Sequence, residues 1–393
     1  MLSPHQSETR ILNPIRIRCY HFEKAFRITI HSPQTIRRQA DSVIVRIDFD
    51  DGTFGFGESA PRSYVTGETC HSVTNLIVDR FAPILFNNAM DSLESIQSVL
   101  NRLEKDCRHH GILSSNSAIG AIDLALLDAL RRTRANQYRH LFPIKCRDTL
   151  RFSLSVPLLP LEVIKQYLPR LKSIVDIAVI KILVSEDLKE TYERIALLRH
   201  LADPNTELRL EFNGKMTFSR VKEYLEFLTP LALSAVEEPL PAKDLHQLHL
   251  LREQFELNFI ADESLISLED AKRLAEDGTY TIFNIKVSKC GGLQQSLKIA
   301  KLAEQHGIQC HVGTHVGESE VLGIAGRQLA RSLPNFDCYG GGSEVLFSQL
   351  FESSHQVTEG PWQPKIDHDL LDENLCLDLI SKCRLLADSR SVN

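Results

Sequence analysis

Apolar and polar residues alternate through DSVIVRIDFDDGTFGFGES, residues 41–59, with Asp51-Gly52 at the centre. Period-two alternation interrupted by an Asp-Gly pair predicts two antiparallel strands joined by a tight turn. The rhythm then lengthens. CHSVTNLIVDRFAPIL, SLESIQSVLNRLEKDC and NSAIGAIDLALLDALRR place apolar residues at steps of three and four, which predicts three helices. In the last, Ile119, Ile122, Leu126 and Ala129 share one face, and its small residues suit close packing.

From about residue 150 short apolar runs recur, each followed by an amphipathic helical segment. The runs are LRFSLSVP, IAVIKILV, ELRLEFNG, LSAVEEPL, NFIADES, TIFNIKVS, IQCHVGTH and NFDCYGG. Their spacing of roughly 25 to 30 residues is that of one βα unit. Eight such units, with strands made parallel by the helices between them, predict a closed (β/α) barrel. An open doubly wound sheet is the competing arrangement, but no Gly-rich phosphate turn follows the first run. The expected fold class is α/β: a TIM-type barrel over residues 146–364, preceded by an α+β domain over residues 1–145.

Composition narrows the function. The chain has 393 residues, 43% of them apolar and 24% charged, with a formal net charge of −6. That balance argues against nucleic acid as a partner. RIRCY and IRRQA are read as solvated edges. No apolar run reaches membrane-spanning length, and MLSPHQSETRILNP lacks the apolar core of a signal peptide, so it reads as a short polar arm. The nine cysteines are scattered singly without a C-x-x-C pair, which points to reduced thiols in a cytoplasmic protein and away from a cysteine zinc site.

In a barrel, alternate strand residues face the interior and functional groups gather at the carboxyl ends of the strands. In LRLEFNG this alternation turns Arg209, Glu211 and Asn213 inward. LSAVEEPL turns Glu237 inward, with Glu238 and Pro239 bending the chain, and NFIADES turns Asp262 inward, followed by Glu263. Three carboxylates aimed at one axis repel, and burying them unpaired is costly. A hard divalent cation resolves this, and all-oxygen ligands with room for water fit Mg²⁺ (or Mn²⁺ in its place) better than zinc. The alternative is that each acid pairs separately with a lysine or arginine. Three acids on consecutive strands favour the cation. Lys286 in TIFNIKVSKCGG faces inward one strand further on. It is read as a general base whose proton affinity is lowered by burial and the metal, or as a neutralising partner of the acids, and both roles are compatible. Lys289, in the following loop, is read as an ordinary substrate- or solvent-facing lysine.

These motifs together resemble the enolase superfamily, in its muconate-lactonizing and mandelate-racemase-like branch. DGTFGFGESAPRSYVTGET resembles the branch's N-terminal hairpin and substrate-covering loop, and AIDLALLDAL the helix joining its domains. EFN, VEEPL, IADES and NIKVSKCGG resemble its successive active-site strands. The resemblance spans nearly the whole chain. It implies a modified barrel capped by the N-terminal domain and by the last residues, 365–393. It implies Mg²⁺ at Glu211, Glu237 and Asp262, and removal of a proton next to a substrate carboxylate through a metal-stabilised enolate. It also implies that loops near 30–36 and 59–69, the latter holding Tyr64, exclude water and select a small carboxylate substrate. Asn213, Glu263 and Asp337 join Tyr64 as expected substrate contacts. Relatives are often dimers or octamers, so a homo-oligomer is expected.

The chain departs from the family pattern on the second strand. The family carries K-x-K, with the second lysine as an acid/base. Here AVIKILV gives Lys181 and Leu183. Lys181 is assigned an electrostatic role among the carboxylates, while Leu183 cannot exchange a proton. Glu211 stands where the family has aspartate. His311 and His315 lie on one face of strand seven, and His315 is either an alternative acid/base or a polar rim histidine. Glu318 is read as the acid usual in this region, displaced by one position. Tyr339 stands where dipeptide epimerases carry a second aspartate, which weighs against an L-Ala-D/L-Glu-type substrate. Three functions compete: a Mg²⁺-dependent isomerase or lyase, cycloisomerase-like; a degenerate relative that binds metal and carboxylate without turnover; and a partner-binding barrel.

Overall fold

The computed structural model describes residues 11–32, 35–142, 147–173, 175–341 and 371–391. Residues 1–10 of the expected polar arm and the expected junctions near 145 and 364 fall outside the described residues, as do 365–370 of the expected C-terminal return. The described end of the arm is not a free arm, since Leu12 is buried and bridges Met90 and Pro14 already begins a strand. The predicted hairpin is β2 (Ile36–Phe49) against β3 (Phe54–Ser59), antiparallel from Val43↔Ser59 to Asp48↔Phe54, with Gly52 at φ 85° in the turn. A preceding 18-residue strand, β1 (Pro14–His31), pairs along β2. RIRCY, expected as a solvated edge, is instead paired strand with Ile17 and Cys19 buried.

The three predicted helical stretches form α1 (Cys70–Leu76) and α2 (Ala82–Phe86), joined by a π-helical turn, then α3 (Leu93–His109) and α4 (Asn116–Thr133). α3 starts at a Ser92–Ser95 capping box. α4 differs from the single apolar face expected of it: every residue from Ser117 to Leu130 is buried, because the helix is wedged between the sheet and the barrel. β3 lies so close to it that a Cβ on Gly57 would sit 1.9 Å from the Ala121 carbonyl oxygen, and one on Gly55 1.9 Å from that of Ala125. Gly57→Ala is therefore expected to cost about 3 kcal/mol, the upper end of overpacking, read as a lower urea midpoint with an unchanged slope.

α5 (Ala135–His140) follows, then β4 (Phe152–Val156), β5 (Ile177–Leu183), β6 (Glu207–Glu211), β7 (Leu233–Glu237), β8 (Asn258–Ala261), β9 (Ile282–Ile285), β10 (Gln309–Gly313) and β11 (Phe336–Gly340). All eight apolar runs are strands. They pair in parallel in chain order, and β11 closes on β4 to complete the barrel. The helices between them are α6 (Leu161–Lys172), α7 (Leu188–Leu201), α8 (Phe218–Leu228), α9 (Leu245–Gln254), α10 (Leu268–Asp277), α11 (Leu293–Gln305) and α12 (Glu320–Ser332). After α13 (Glu373–Ser381), β12 (Arg384–Arg390) pairs antiparallel with β1, giving the sheet order β12-β1-β2-β3.

Buried carboxylates tie the N-terminal elements to the barrel. Glu58 accepts from the Ser319 and Leu322 amides at the start of α12, and Asp123 accepts from Leu293 and Gln294 at the start of α11. A carboxylate at a helix N-terminus satisfies free amides and the helix dipole together. Among the described residues no helix is long and apolar enough to cross a membrane.

Candidate active site

The carboxyl ends of the barrel strands open into a cavity of about 180 Å³ beneath the β1–β2 tip and the loop after β3. Ile30, Thr35, Arg37, Tyr64 and Val65 form its roof. The tip is pinned to the barrel, because the His31 carbonyl accepts from the Leu158 amide at 3.2 Å. Lys181, Leu183, Glu211, Asn213, Glu263 and Lys286 line the barrel side, and Thr314 and His315 one wall. Phe152, Leu154 and Tyr167 line the cavity together with Leu183 as its apolar part. The backbone is strained at the polar end: Asn213, just past β6, has φ 55° and Glu238, just past β7, φ 39°.

The alternation rule brings the expected acids together. One oxygen each from Glu211, Glu237 and Asp262 lies within 4.8 Å of the others, all three residues being buried. Lysines are there too. Lys181 Nζ donates to Glu237 Oε1 at 2.9 Å and lies 3.3 Å from Glu211 Oε2. Lys286 Nζ donates to Asp262 Oδ2 at 2.6 Å. Convergence and separate pairing, which the sequence posed as alternatives, thus coexist. Glu237 Oε2 is buried without a hydrogen-bond partner among the described residues, while Oε1 takes both Lys181 and Asn284. An orphaned carboxylate oxygen in an all-oxygen cluster fits a hard divalent cation and leaves it a ligand that no side chain claims.

Electrostatics follow from burial and these pairs. Burial pushes the Glu237 carboxyl up to about 7, with Glu211 and Asp262 adding to the effect and Lys181 opposing it. Burial, then the charges of Asp262 and Glu238, push Glu263 up to about 8. Burial works against ionising Asp262, yet Lys286 and Lys289 outweigh it and hold that carboxyl well below its ordinary value. For Lys181, burial is likewise outweighed by Glu211 and Glu237, and its amine is held protonated. Lys286 departs from its expected lowering: burial acts downward, but the Asp262 carboxylate overrides it and raises the amine.

Lys289, read from sequence as an ordinary loop lysine, is fully buried. Its amine donates to Asp262 Oδ1 at 2.7 Å, to the Asp262 carbonyl at 2.6 Å and to the Asn284 carbonyl at 2.9 Å. It fixes one oxygen of Asp262 and leaves the other facing Lys286. A K-x-x-K spacing across the end of a strand was the available signal. Asn284, two residues before Lys286 on β9, donates to Glu237 Oε1 at 2.8 Å. Asn213 donates to Glu211 Oε1 at 2.8 Å and to Glu263 Oε1 at 3.3 Å.

His315 is buried, with Nδ1 2.9 Å from the Ala60 carbonyl. A carbonyl only accepts, so Nδ1 carries the proton. Burial, then the charges of Lys286 and Arg62, hold the ring's proton affinity well below the ordinary histidine value. His315 is therefore neutral, and its Nε2 lone pair has no partner among the described residues. The remaining expected residues lie off the cavity. A bulge on β11, where Cys310 faces Phe336 and Val312 faces Tyr339, sets Asp337 and Cys338 opposite His311. Asp337 is paired there with Arg209 through contacts of 2.5 and 2.8 Å. Glu318 accepts from the His315 amide at 2.6 Å. Tyr339 packs outward, its hydroxyl 3.3 Å from the Gly323 carbonyl in α12.

Comparison with known proteins adds a lineage. The family described as "Mandelate racemase / muconate lactonizing enzyme, N-terminal domain" matches residues 16–141, and "Enolase C-terminal domain-like" matches residues 169–366. The hydrophobic dipeptide epimerase of Enterococcus faecalis is 27% identical over 297 residues, which is 75% of this chain and 80% of that one. The structure of a dipeptide epimerase from the same organism, complexed with Mg and the dipeptide L-Leu-L-Tyr, superposes with a TM-score of 0.73 at 24% identity, covering 84% of this chain and 90% of that one. Muconate lactonizing enzyme from Pseudomonas fluorescens, complexed with muconolactone, shares the fold with a TM-score of 0.75 at 20% identity, covering 85% and 89%.

Proposed function

Because the chain belongs to the mandelate racemase / muconate lactonizing enzyme family of the enolase superfamily, a family of epimerases, racemases and cycloisomerases, we propose that it is a Mg²⁺-dependent, single-base isomerase or lyase acting next to a substrate carboxylate. In this reading residues 146–364 are the catalytic barrel, and residues 1–145 with 365–393 its cap. The observation that carries the proposal is the convergence of Glu211, Glu237 and Asp262 on one another, with the Lys286 amine donating to Asp262. Glu211, Glu237 and Asp262 would hold the cation. When bound, it supplies positive charge that offsets both the charge developing on the substrate carboxylate and the field that keeps Lys286 protonated. Lys286 takes the proton on carbon next to the carboxylate and can return it to the same face. Lys181 anchors the acids and Lys289 positions Asp262. Tyr64, Asn213 and Glu263 contact the substrate from roof and rim. Asp337 enters this proposal only as a support of the barrel interior.

Leu183 sets the stereochemical outcome. It occupies the position of a second lysine, is 7% exposed, and lies in the apolar part of the cavity with Phe152 and Leu154. No proton can be delivered from Leu183. Cycloisomerisation, dehydration and syn elimination need one base, whereas racemisation needs two. His315, neutral with a bare Nε2, accepts a hydrogen bond from the substrate and is the residue that would have to act if a second base were used. A non-catalytic binder, suggested by Leu183 and by Glu211 in place of aspartate, is not favoured, because the acids and Lys286 are all in place. A cytoplasmic homo-oligomer remains part of the proposal, supported for the compartment by eight unbonded cysteines among the described residues.

The test uses enantiopure 2-substituted carboxylates in D₂O with Mg²⁺, read by NMR for exchange and by chiral chromatography for inversion. The native protein is expected to exchange the 2-hydrogen without inverting the centre. Leu183→Lys is expected to add inversion. Inversion by the native protein at the rate of exchange would overturn the single-base reading and direct attention to His315.

A further inference from the structure

The N-terminal sheet carries a second group of metal-ligating side chains, of softer chemistry than the barrel carboxylates. Pairing of Cys19 with Val45, His21 with Val43 and Glu23 with Asp41 puts these residues of β1 and β2 on one face of the sheet. Cys19, Val43 and Val45 are buried there in one core with Val73 of α1. At the margin of that core His21, Asp41 and Cys70 of α1 meet, each half-buried. One ligand atom from each lies within 4.8 Å of the other two. His21 Nε2 is 2.7 Å from Asp41 Oδ1, and the Cys70 thiol donates to the same oxygen at 3.1 Å. A carboxylate only accepts, so Nε2 carries the ring proton. Three different donor atoms thus converge on one point, held there by two protons.

The surroundings suit a dication in place of those protons. Behind the imidazole, Glu23 Oε2 lies 3.7 Å from Nδ1, and Gln39 donates to the other Glu23 oxygen. A carboxylate in that position draws the ring proton to the far nitrogen and leaves Nε2 for a metal. The exposed Arg384 also reaches Nδ1, at 3.5 Å, and Arg62 donates to the Asp41 carbonyl at 3.2 Å. Neither arginine bonds to Nε2, Oδ1 or the sulfur among the described residues. The thiol faces the carboxylate rather than the imidazole. Burial, then Asp41, holds its proton affinity above the ordinary cysteine value. That excludes an activated nucleophile and leaves a proton for a metal to displace.

We infer that His21, Asp41 and Cys70 form a zinc site, bound through His21 Nε2, an Asp41 carboxylate oxygen and the Cys70 thiolate, with water in the fourth position. The thiol proton passes to water on binding, and thiolate and carboxylate together neutralise the dication. Thiolate and imidazole select zinc over Mg²⁺, which all-oxygen ligands favour. The absence of a C-x-x-C pair weighs only against a site built from several cysteines. Here one ligand comes from each of β1, β2 and α1, so no spacing along the chain marks the site. Cys70 is where the loop after β3, which carries Tyr64 over the cavity, enters α1. The ion therefore pins the far end of that loop to the sheet.

Cobalt(II), a coloured substitute for zinc, tests this when titrated into the metal-free full chain with Mg²⁺ in excess. A thiolate-to-cobalt charge-transfer band in the near ultraviolet is expected, and added Zn²⁺ is expected to abolish it. Cobalt in the barrel cannot produce that band, because the ligands there are oxygens. Cys70→Ser is expected to remove the band. His21→Gln and Asp41→Asn are each expected to weaken cobalt binding at this site by about tenfold or more. Melting curves of each variant confirm folding. Zinc-edge X-ray absorption of the native protein needs no variant and is expected to show sulfur in the first shell. A shell of oxygen and nitrogen alone, or the lack of any charge-transfer band, would overturn the inference. So would a band that survives Cys70→Ser, which moves the ligand to another cysteine. A band lost in Cys70→Ser but of unchanged affinity in His21→Gln or Asp41→Asn means a thiol binding metal without the three-residue site, and overturns it equally.

Discussion

Lys286→Met is expected to reduce Mg²⁺-dependent hydrogen–deuterium exchange next to the substrate carboxylate by about 10²- to 10⁴-fold, the usual worth of a positioned general base. Methionine keeps much of the lysine's length and apolar stem but can neither take nor return a proton. The substitution leaves Asp262 paired with Lys289 at 2.7 Å, so the cluster keeps one cation on that carboxylate. Exchange in the Mg²⁺-loaded native protein should rise with pH until the Lys286 amine is fully free and then level off, because only the free amine is a base. Exchange that persists in the mutant at the native rate would move the chemistry to another group, of which His315 is the nearest to hand. A mutant that still melts cooperatively and still gains stability from Mg²⁺ shows that the loss is chemical.

Much of this arrangement was legible from side-chain periodicity. A period of two fixes which residues face the barrel axis, so Glu211, Glu237, Asp262 and Lys286 could be placed in one chamber before any coordinate was known. Periodicity carries less where a residue leaves the strand. Lys289 comes after the end of β9, and only the returning turn, with its amine folded back onto the Asp262 and Asn284 carbonyls, reveals its place. The bulge on β11 defeats alternation in the same way and turns Asp337 toward Arg209. The helix α4 showed an apolar stripe and small residues suited to close packing, but not that both of its sides would be covered, because that depends on the glycines of β3 approaching from another part of the chain. The direction of the Lys286 shift was also beyond sequence. Burial and a carboxylate act oppositely on an amine, and only their distances decide which prevails.

Leu183 sharpens the same point. Its identity is plain in the sequence, but its meaning depends on its neighbours. Among polar residues a lone leucine could be a simple loss. In the structure it joins Phe152 and Leu154 in the apolar part of the cavity. In the proposed single-base reading such a surface would exclude water from one part of the chamber and leave proton transfer to the side of Lys286.

The cation itself should leave a pH signature. Burial pushes the Glu237 carboxyl from its ordinary 4.5 up to about 7, so in the metal-free protein the folded state binds that proton more tightly than the unfolded chain does. The resulting stabilisation is fully present below about pH 4.5 and is lost as pH rises through about 7. Asp262 has the opposite sign, but its carboxyl lies well below 3.8, so its contribution changes only at lower pH and does not mask the effect. Metal-free protein is thus expected to melt at a higher temperature at pH 5 than at pH 8 as far as this group decides. Mg²⁺ requires Glu237 ionised. Its affinity is therefore expected to rise from pH 6 to pH 8, with proton release on binding at the lower pH, by up to about tenfold per pH unit for one proton displaced. Glu237→Gln keeps the shape and removes the charge. It is expected to weaken Mg²⁺ binding by about 10²-fold or more, to abolish the Mg²⁺-induced rise in melting temperature, and to reduce the metal-free pH dependence between pH 5 and 7, the buried Glu263 keeping its share. It also takes from the Lys181 amine its 2.9 Å carboxylate partner and leaves Glu211 as the compensating charge. Calorimetry in two buffers of different ionisation enthalpy counts the protons directly. Mg²⁺ affinity that is flat from pH 6 to 8, or unchanged in Glu237→Gln, would place the cation away from the three carboxylates and remove the basis for enolate chemistry at this barrel mouth.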